Sequence, residues 1–182
     1  MKLQLPTHPP RASLGFTLIE MMVVIAISVL LLLTAVPAVQ QAIQNARTSA
    51  LVHRLPQDMA WVRNQAATTQ IPHRIVLGPG CQWQTERGTH VAGTPPTVAW
   101  DATSTEAKAR SLTAATALAD HPGVTCEIDG STTSTETIRF NSQGLIEGNV
   151  SPTLTVASSN GQQWTLKVLL SGLTLLNAGT SS

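Results

Sequence analysis

The chain has little aromatic material: no tyrosine, two phenylalanines and four tryptophans in 182 residues. So few rings supply no row of platforms on which nucleic-acid bases could stack. Charge is scarce as well. Asp, Glu, Lys and Arg make up 12% of the residues, about half of the usual ~25%. The net charge of +1 provides no bulk field to recruit a polyanion or an anionic membrane. Two cysteines are too few for a disulfide-stapled mini-protein.

Catalytic signatures are missing too. The histidines His8, His53, His73, His90 and His121 show neither an HExxH pattern nor a paired spacing with cysteine, which argues against a zinc site. No GxSxG, Walker or dinucleotide-binding loop is present, and Gly78-Pro79-Gly80 reads as a turn with no helix after it to hold phosphate. Glu127 and Asp129 are the nearest approach to a calcium pair. Two acids beside a glycine are common in hairpins, and no acid follows Glu147. No enzyme activity, metal or cofactor is expected.

What the chain does have is one concentrated apolar segment. From Met21 to Val39 no residue is charged. At about 1.5 Å per residue this stretch reaches nearly across the ~30 Å hydrocarbon core of a bilayer. Phe16 to Ile19 lengthen it, with Glu20 inside. A cleaved secretory signal would have a shorter apolar core and a small-residue cleavage site after it. A plain signal anchor leaves Glu20 unexplained, because a carboxylate in the span costs about 2.5–3.5 kcal/mol on insertion scales. Arg11 is the basic residue closest to the span and favours a cytoplasmic N-terminus.

Gly15-Phe16-Thr17-Leu18-Ile19-Glu20, followed by Met21 to Ile27, resembles the class III signal of type IV pilins and pseudopilins. Pro37 falls where that family commonly carries a proline. Farther on, Ile43 to Ala67 and Ile138 to Gly144 are similar to the GspH/FimT-like minor pilins. The resemblance implies a leader of residues 1–15, cut after Gly15 by a prepilin peptidase that then methylates the new amino group of Phe16. It implies a single-pass protein of the bacterial inner membrane with its globular part in the periplasm. The partners it implies are other pilins or pseudopilins, the peptidase and an inner-membrane assembly platform. Assembly would go through Phe16, Glu20 and Pro37 into a type II secretion pseudopilus or a type IV pilus, in the initiating or tip complex.

Electrostatics gives this arrangement a reason. Cleavage frees a cationic amine at Phe16, four positions before Glu20. In lipid both charges are costly unless they pair. Pairing between staggered neighbours would remove both penalties and fix the register. The alternative, a contact with the chain's own amine at i,i+4, stays open.

Two readings compete with a structural subunit. Some FimT-like relatives bind DNA during natural transformation through arginines near a C-terminal glycine. The corresponding stretch here, Gly172-Leu173-Thr174-Leu175, has no basic residue, and Lys167 is the only positive charge after Arg139. Counterion release from several phosphates is out of its reach. Arg47, Arg54, Arg63 and Arg74 could form a basic stripe along the helix and its exit, although such stripes are usually solvated or paired. Nucleic acid is therefore not the expected partner. The other competitor is a signal-anchored periplasmic domain that never polymerises.

The predicted fold is α+β and pilin-like: a long N-terminal helix whose first half spans the membrane, packed on an antiparallel sheet. Residues 16–39 form the membrane half. Residues 40–70 form an amphipathic half, with Ile43, Ala46, Ala50, Leu51, Leu55, Met59, Val62 and Ala66 near a 3–4 spacing. Residues 71–182 form a β-rich domain. A bend or melted turn is expected at Pro37, and Pro56 casts doubt on a straight helix. Strands are expected at 73–77, 81–85, 97–100, 137–141, 152–157 and 163–170, with 103–118 either a short helix or a surface insertion. Cys81 and Cys126, the only cysteines, are either a disulfide or two buried thiols. The apolar run Lys167–Leu176 reads as a buried strand or as an exposed docking edge.

Overall fold

The computed structural model describes residues 16–93 and 97–180. The expected leader, residues 1–15, lies outside the described residues, and so does Gly15. Contacts divide the chain into one unit ending at Gln40 and a second from Gln41 to Ser182. One helix, α1 (Leu18–Thr69), contributes to both.

α1 begins with a side-chain cap from Thr17. The Glu20 N–H donates to Thr17 Oγ1 at 3.2 Å and the Met21 N–H to the Thr17 carbonyl at 3.2 Å. Thr17-x-x-Glu20 is the sequence pattern that starts a helix in this way. The helix ends where Gln70 turns left-handed, φ 55°, ahead of Ile71-Pro72, which cannot continue it. The helix runs unbroken through Pro37 and Pro56, so the melted turn expected at Pro37 is absent. Each proline deletes one rung of the i→i−4 ladder, and the rungs on either side hold.

In the second unit one face of α1 is buried: Thr48, Leu51, Val52, Leu55, Asp58, Met59, Val62 and Ala66. The stripe starts later than the spacing suggests. Ile43, Ala46 and Ala50 are exposed. The Thr48 hydroxyl satisfies itself on the Gln44 carbonyl at 2.9 Å, which lets a polar residue enter the apolar face.

Two four-stranded antiparallel sheets face this stripe, where one was expected. The first has β1 (His73–Gly78), β2 (Gln82–Val91), β3 (Thr97–Asp101) and β5 (Glu136–Phe140) in the order β3-β2-β1-β5. The second has β4 (Val124–Ile128), β6 (Thr153–Ser158), β7 (Gln162–Val168) and β8 (Thr174–Thr180) in the order β4-β6-β7-β8. The six expected strands are present with shifted ends, and β4 and β8 are additional. Period-two alternation sets the inner faces: Ile75, Leu77, Ile138 and Phe140 from the first sheet, Val156, Leu166 and Val168 from the second, all 2% exposed or less. They join α1 in a single core.

The undecided stretch 103–118 holds two short helices, α2 (Thr105–Arg110) and α3 (Ala114–Asp120), capped by the side chains of Ser104 and Thr113. Between them Leu112 exchanges two backbone hydrogen bonds with Trp83, at 2.9 and 2.8 Å. Cys81, in the β1–β2 turn, is disulfide-bonded to Cys126 in β4, so the bridge fastens one sheet to the other. Closing a loop over a separation of 45 residues corresponds to about 4 kcal/mol in the chain-entropy treatment.

Candidate functional site

The residues singled out at the N-terminus sit on the first turn of α1. Phe16 is 78% exposed, and Glu20 is exposed at the third helical position. There its carboxylate lies at the positive end of the helix macrodipole. The apolar side chains from Leu18 to Val39 are exposed on every side of the helix, with no stripe that would face a core. Among the described residues this is the one helix long and apolar enough to cross a membrane by length and composition. Its Ser28 hydroxyl donates to the Val24 carbonyl at 2.7 Å, so this polar group within the apolar span is satisfied inside the helix. Pro37 is exposed, within the same helix.

The globular unit uses its charges internally. Asp58, 2% exposed on the buried face of α1, accepts from Trp83 Nε1 at 3.1 Å and from Arg110 Nη1 at 3.3 Å, and pairs with Arg54 Nε at 3.5 Å. Arg54 also donates to the Ser111 carbonyl at 3.3 Å. The guanidiniums of Arg54 and Arg110 lie over the rings of Trp83 and Trp61, each at 5.6 Å. One carboxylate thus ties together α1, β2 and the end of α2. The charged partners satisfy it, which a buried carboxylate requires. Sequence reasoning missed this cluster. Its only local signals are Arg54 four positions earlier and the isolation of Asp58, the one acid between Glu20 and Glu86.

Three of the four arginines of the basic stripe are engaged inside the globular unit. Besides Arg54, Arg63 donates Nε to the Gly144 carbonyl at 3.2 Å. Arg74 bonds Glu86 at 2.6 Å and stacks on Trp100 at 4.4 Å, and Arg139 approaches the same ring at 5.9 Å. Of the four, only Arg47 has no such commitment in the described structure. Trp83 is core, whereas Trp61 and Trp164 are partly buried against it.

His73 is 6% exposed, and Nδ1 lies 2.8 Å from the Ile71 carbonyl. Burial, reinforced by the Arg87 charge, lowers its pKa below 6.5, against the opposing pull of the Ile71 carbonyl and Glu106. Asp101, on the surface, is lowered by hydrogen bonds from the side chain and backbone of Thr103. Among the described residues no three His, Cys, Asp or Glu side chains cluster closely enough to hold a metal ion.

Residues 10–36 match a family model described as the prokaryotic N-terminal methylation motif. No curated protein and no solved structure matches the chain.

Proposed function

We propose that this chain, whose first helix carries a prokaryotic N-terminal methylation motif, is a minor pilin or pseudopilin subunit. The motif and the α+β architecture support the type IV pilin-like class. The finer reading is that a prepilin peptidase cuts between Gly15 and Phe16 and methylates Phe16, and that α1 then packs among the N-terminal helices of neighbouring subunits. Residues 16–39 lie in the inner membrane and the globular part in the periplasm. The assembly is a secretion pseudopilus or a type IV pilus, and the GspH/FimT resemblance supports a place in its initiating or tip complex.

The observation that carries this is a carboxylate at the head of a helix that has apolar side chains on all sides and no core of its own. Glu20 pairs with the methylated Phe16 amine of an adjacent copy, and the pairing sets the axial register. The test is mass spectrometry of the chain recovered from its host's filaments or membranes. The expected N-terminus is N-methylphenylalanine at position 16. Glu20→Ala should still be cleaved, with its incorporation into the assembly lost. Incorporated protein that retains residues 1–15 overturns the reading.

A further inference from the structure

Alternate side chains of the first sheet point away from the core, and several of them have no task in the fold. Ile75, Leu77 and Ile138 face inward, so Arg74, Val76, Thr137 and Arg139 face outward. Pairing adds Glu86 and Gln84, opposite Arg74 and Val76, and Trp100, opposite Gly88. A groove of about 540 Å³ opens on this side of the sheet. It is lined by Val76, Gln82 and Gln84 from β1 and β2, and by Lys108, Thr113 and Thr135 from the flanking segments.

The polar groups of the groove are uncommitted. Among the described residues neither Gln82 nor Gln84 hydrogen-bonds through its carboxamide, and the Thr135 hydroxyl has no partner. The Gln82 carboxamide lies over Gly78, where an added Cβ would meet Nε2 at 2.9 Å, so the glycine makes room for it. Lys108 makes no ion pair there. Asp101 feels its charge, but Asp101 Oδ1 is already held by the Thr103 N–H and hydroxyl at 2.7 and 2.6 Å. No carboxylate among the described residues lines the groove. One row farther along the face, about 7 Å from Val76 and Thr137, Arg74 and Arg139 lie over the Trp100 ring at 4.4 and 5.9 Å. Glu86 neutralises Arg74 at 2.6 Å. Arg139 has no carboxylate partner among the described residues.

From the groove and the cations in and beside it, we infer a binding site for an acidic oligosaccharide, with hydroxyls along its length and carboxylates at intervals. The inference concerns the globular unit alone and stands apart from the proposed assembly. The volume lies within the ~300–1,000 Å³ of ligand sites. Carboxamides and hydroxyls both donate and accept, which matches the hydroxyls of a sugar. Val76 and the glutamine methylenes offer the C–H face of a ring an apolar contact. Lys108 and Arg139 supply charge-assisted hydrogen bonds to carboxylates. A polypeptide strand does not fit. β1 lies between β2 and β5, and the outer side of β2 is taken by β3 and by Leu112, so no backbone edge opens into the groove. Nucleic acid does not fit either, because two uncompensated cations neutralise too few phosphates.

The test titrates the full-length chain in a zwitterionic detergent, since a sugar-headed detergent would compete. Tetragalacturonate and a hyaluronan tetrasaccharide are the acidic sugars, maltotetraose is the neutral sugar and tetraglutamate the acidic peptide. Calorimetry should show saturable binding of at least one acidic sugar, severalfold tighter than that of maltotetraose or tetraglutamate. Lys108→Gln and Gln84→Ala should each weaken it severalfold while keeping the parent's melting temperature. Arg139→Gln, exposed on the same face, should do the same, so the reading does not hang on one substitution. Lys167→Gln, on β7 of the second sheet, should leave binding unchanged. Absence of saturable binding by both acidic sugars overturns the inference. So does equal binding of maltotetraose or tetraglutamate, or a loss from Lys167→Gln as large as that from Lys108→Gln.

Discussion

The two parts of α1 carry the same secondary structure under opposite conditions. From Leu18 to Val39 the large apolar side chains are exposed. From Thr48 to Ala66 one face is sealed against two sheets. Helix propensity cannot account for both, because an isolated helix is marginal in water without a face to bury. The second part is held by its tertiary contacts. The first buries no face among the described residues. The buried contacts of α1 are therefore concentrated after Gln41.

Matched truncations are the sharpest way to break that contrast. Met59→Ala, at a residue with 0% exposure, should destabilise the globular unit by about 3 kcal/mol. Leu30→Ala, at a residue 65% exposed, should change its stability by less than about 0.5 kcal/mol. Denaturant unfolding of the full chain in detergent reads this cleanly. Trp61, Trp83, Trp100 and Trp164 all lie after Gln41, so tryptophan fluorescence reports on that unit alone. Equal losses from both substitutions would abolish the distinction between the two parts.

A smaller effect tests whether the charge cluster belongs to the sealed part. Asp58→Ala removes the acceptor of Trp83 and Arg110 and should cost about 2 kcal/mol. Trp83 Nε1 keeps its second acceptor, the Arg110 carbonyl at 3.0 Å, and both arginines can turn to water, which limits the loss. The same fluorescence titration would show a cost near zero if the pairing were only superficial.

The smallest effect is a pH dependence. His73 is held neutral in the fold with a pKa lowered from 6.5, so the unfolded chain takes up its proton first as pH falls. Its contribution is complete above about pH 6.5. It declines as pH drops toward the lower folded value, and levels off below that. Melting temperatures of the parent and of His73→Gln, measured from pH 7.5 down to 5, should differ in slope in that direction. Parallel curves would mean that His73 exchanges its proton equally in both states.

What the sequence made legible follows the reach of each signal. The motif around Glu20, the helix and strands such as β1 and β6 are local patterns, and reading along the chain finds them. The division into two sheets is not local. β5 crosses back to pair with β1, and β4 leaves its neighbour in sequence to pair with β6. β8 begins inside the run Lys167–Leu176, read as a buried strand or a docking edge, and its separation from β7 is not resolved there. Asp58 escaped notice for the same reason: its partners Trp83 and Arg110 lie 25 and 52 residues away. The basic stripe was weighed from arginines taken in chain order, and each of Arg54, Arg63 and Arg74 is engaged by a different part of the fold.

Thr17 has a bearing on maturation. Two hydrogen bonds that hold the opening turn of α1 are both accepted by Thr17. Both would survive a protease that trims the chain back to Phe16. The helix starts itself, and the shortened protein would emerge with its first turn already tied off.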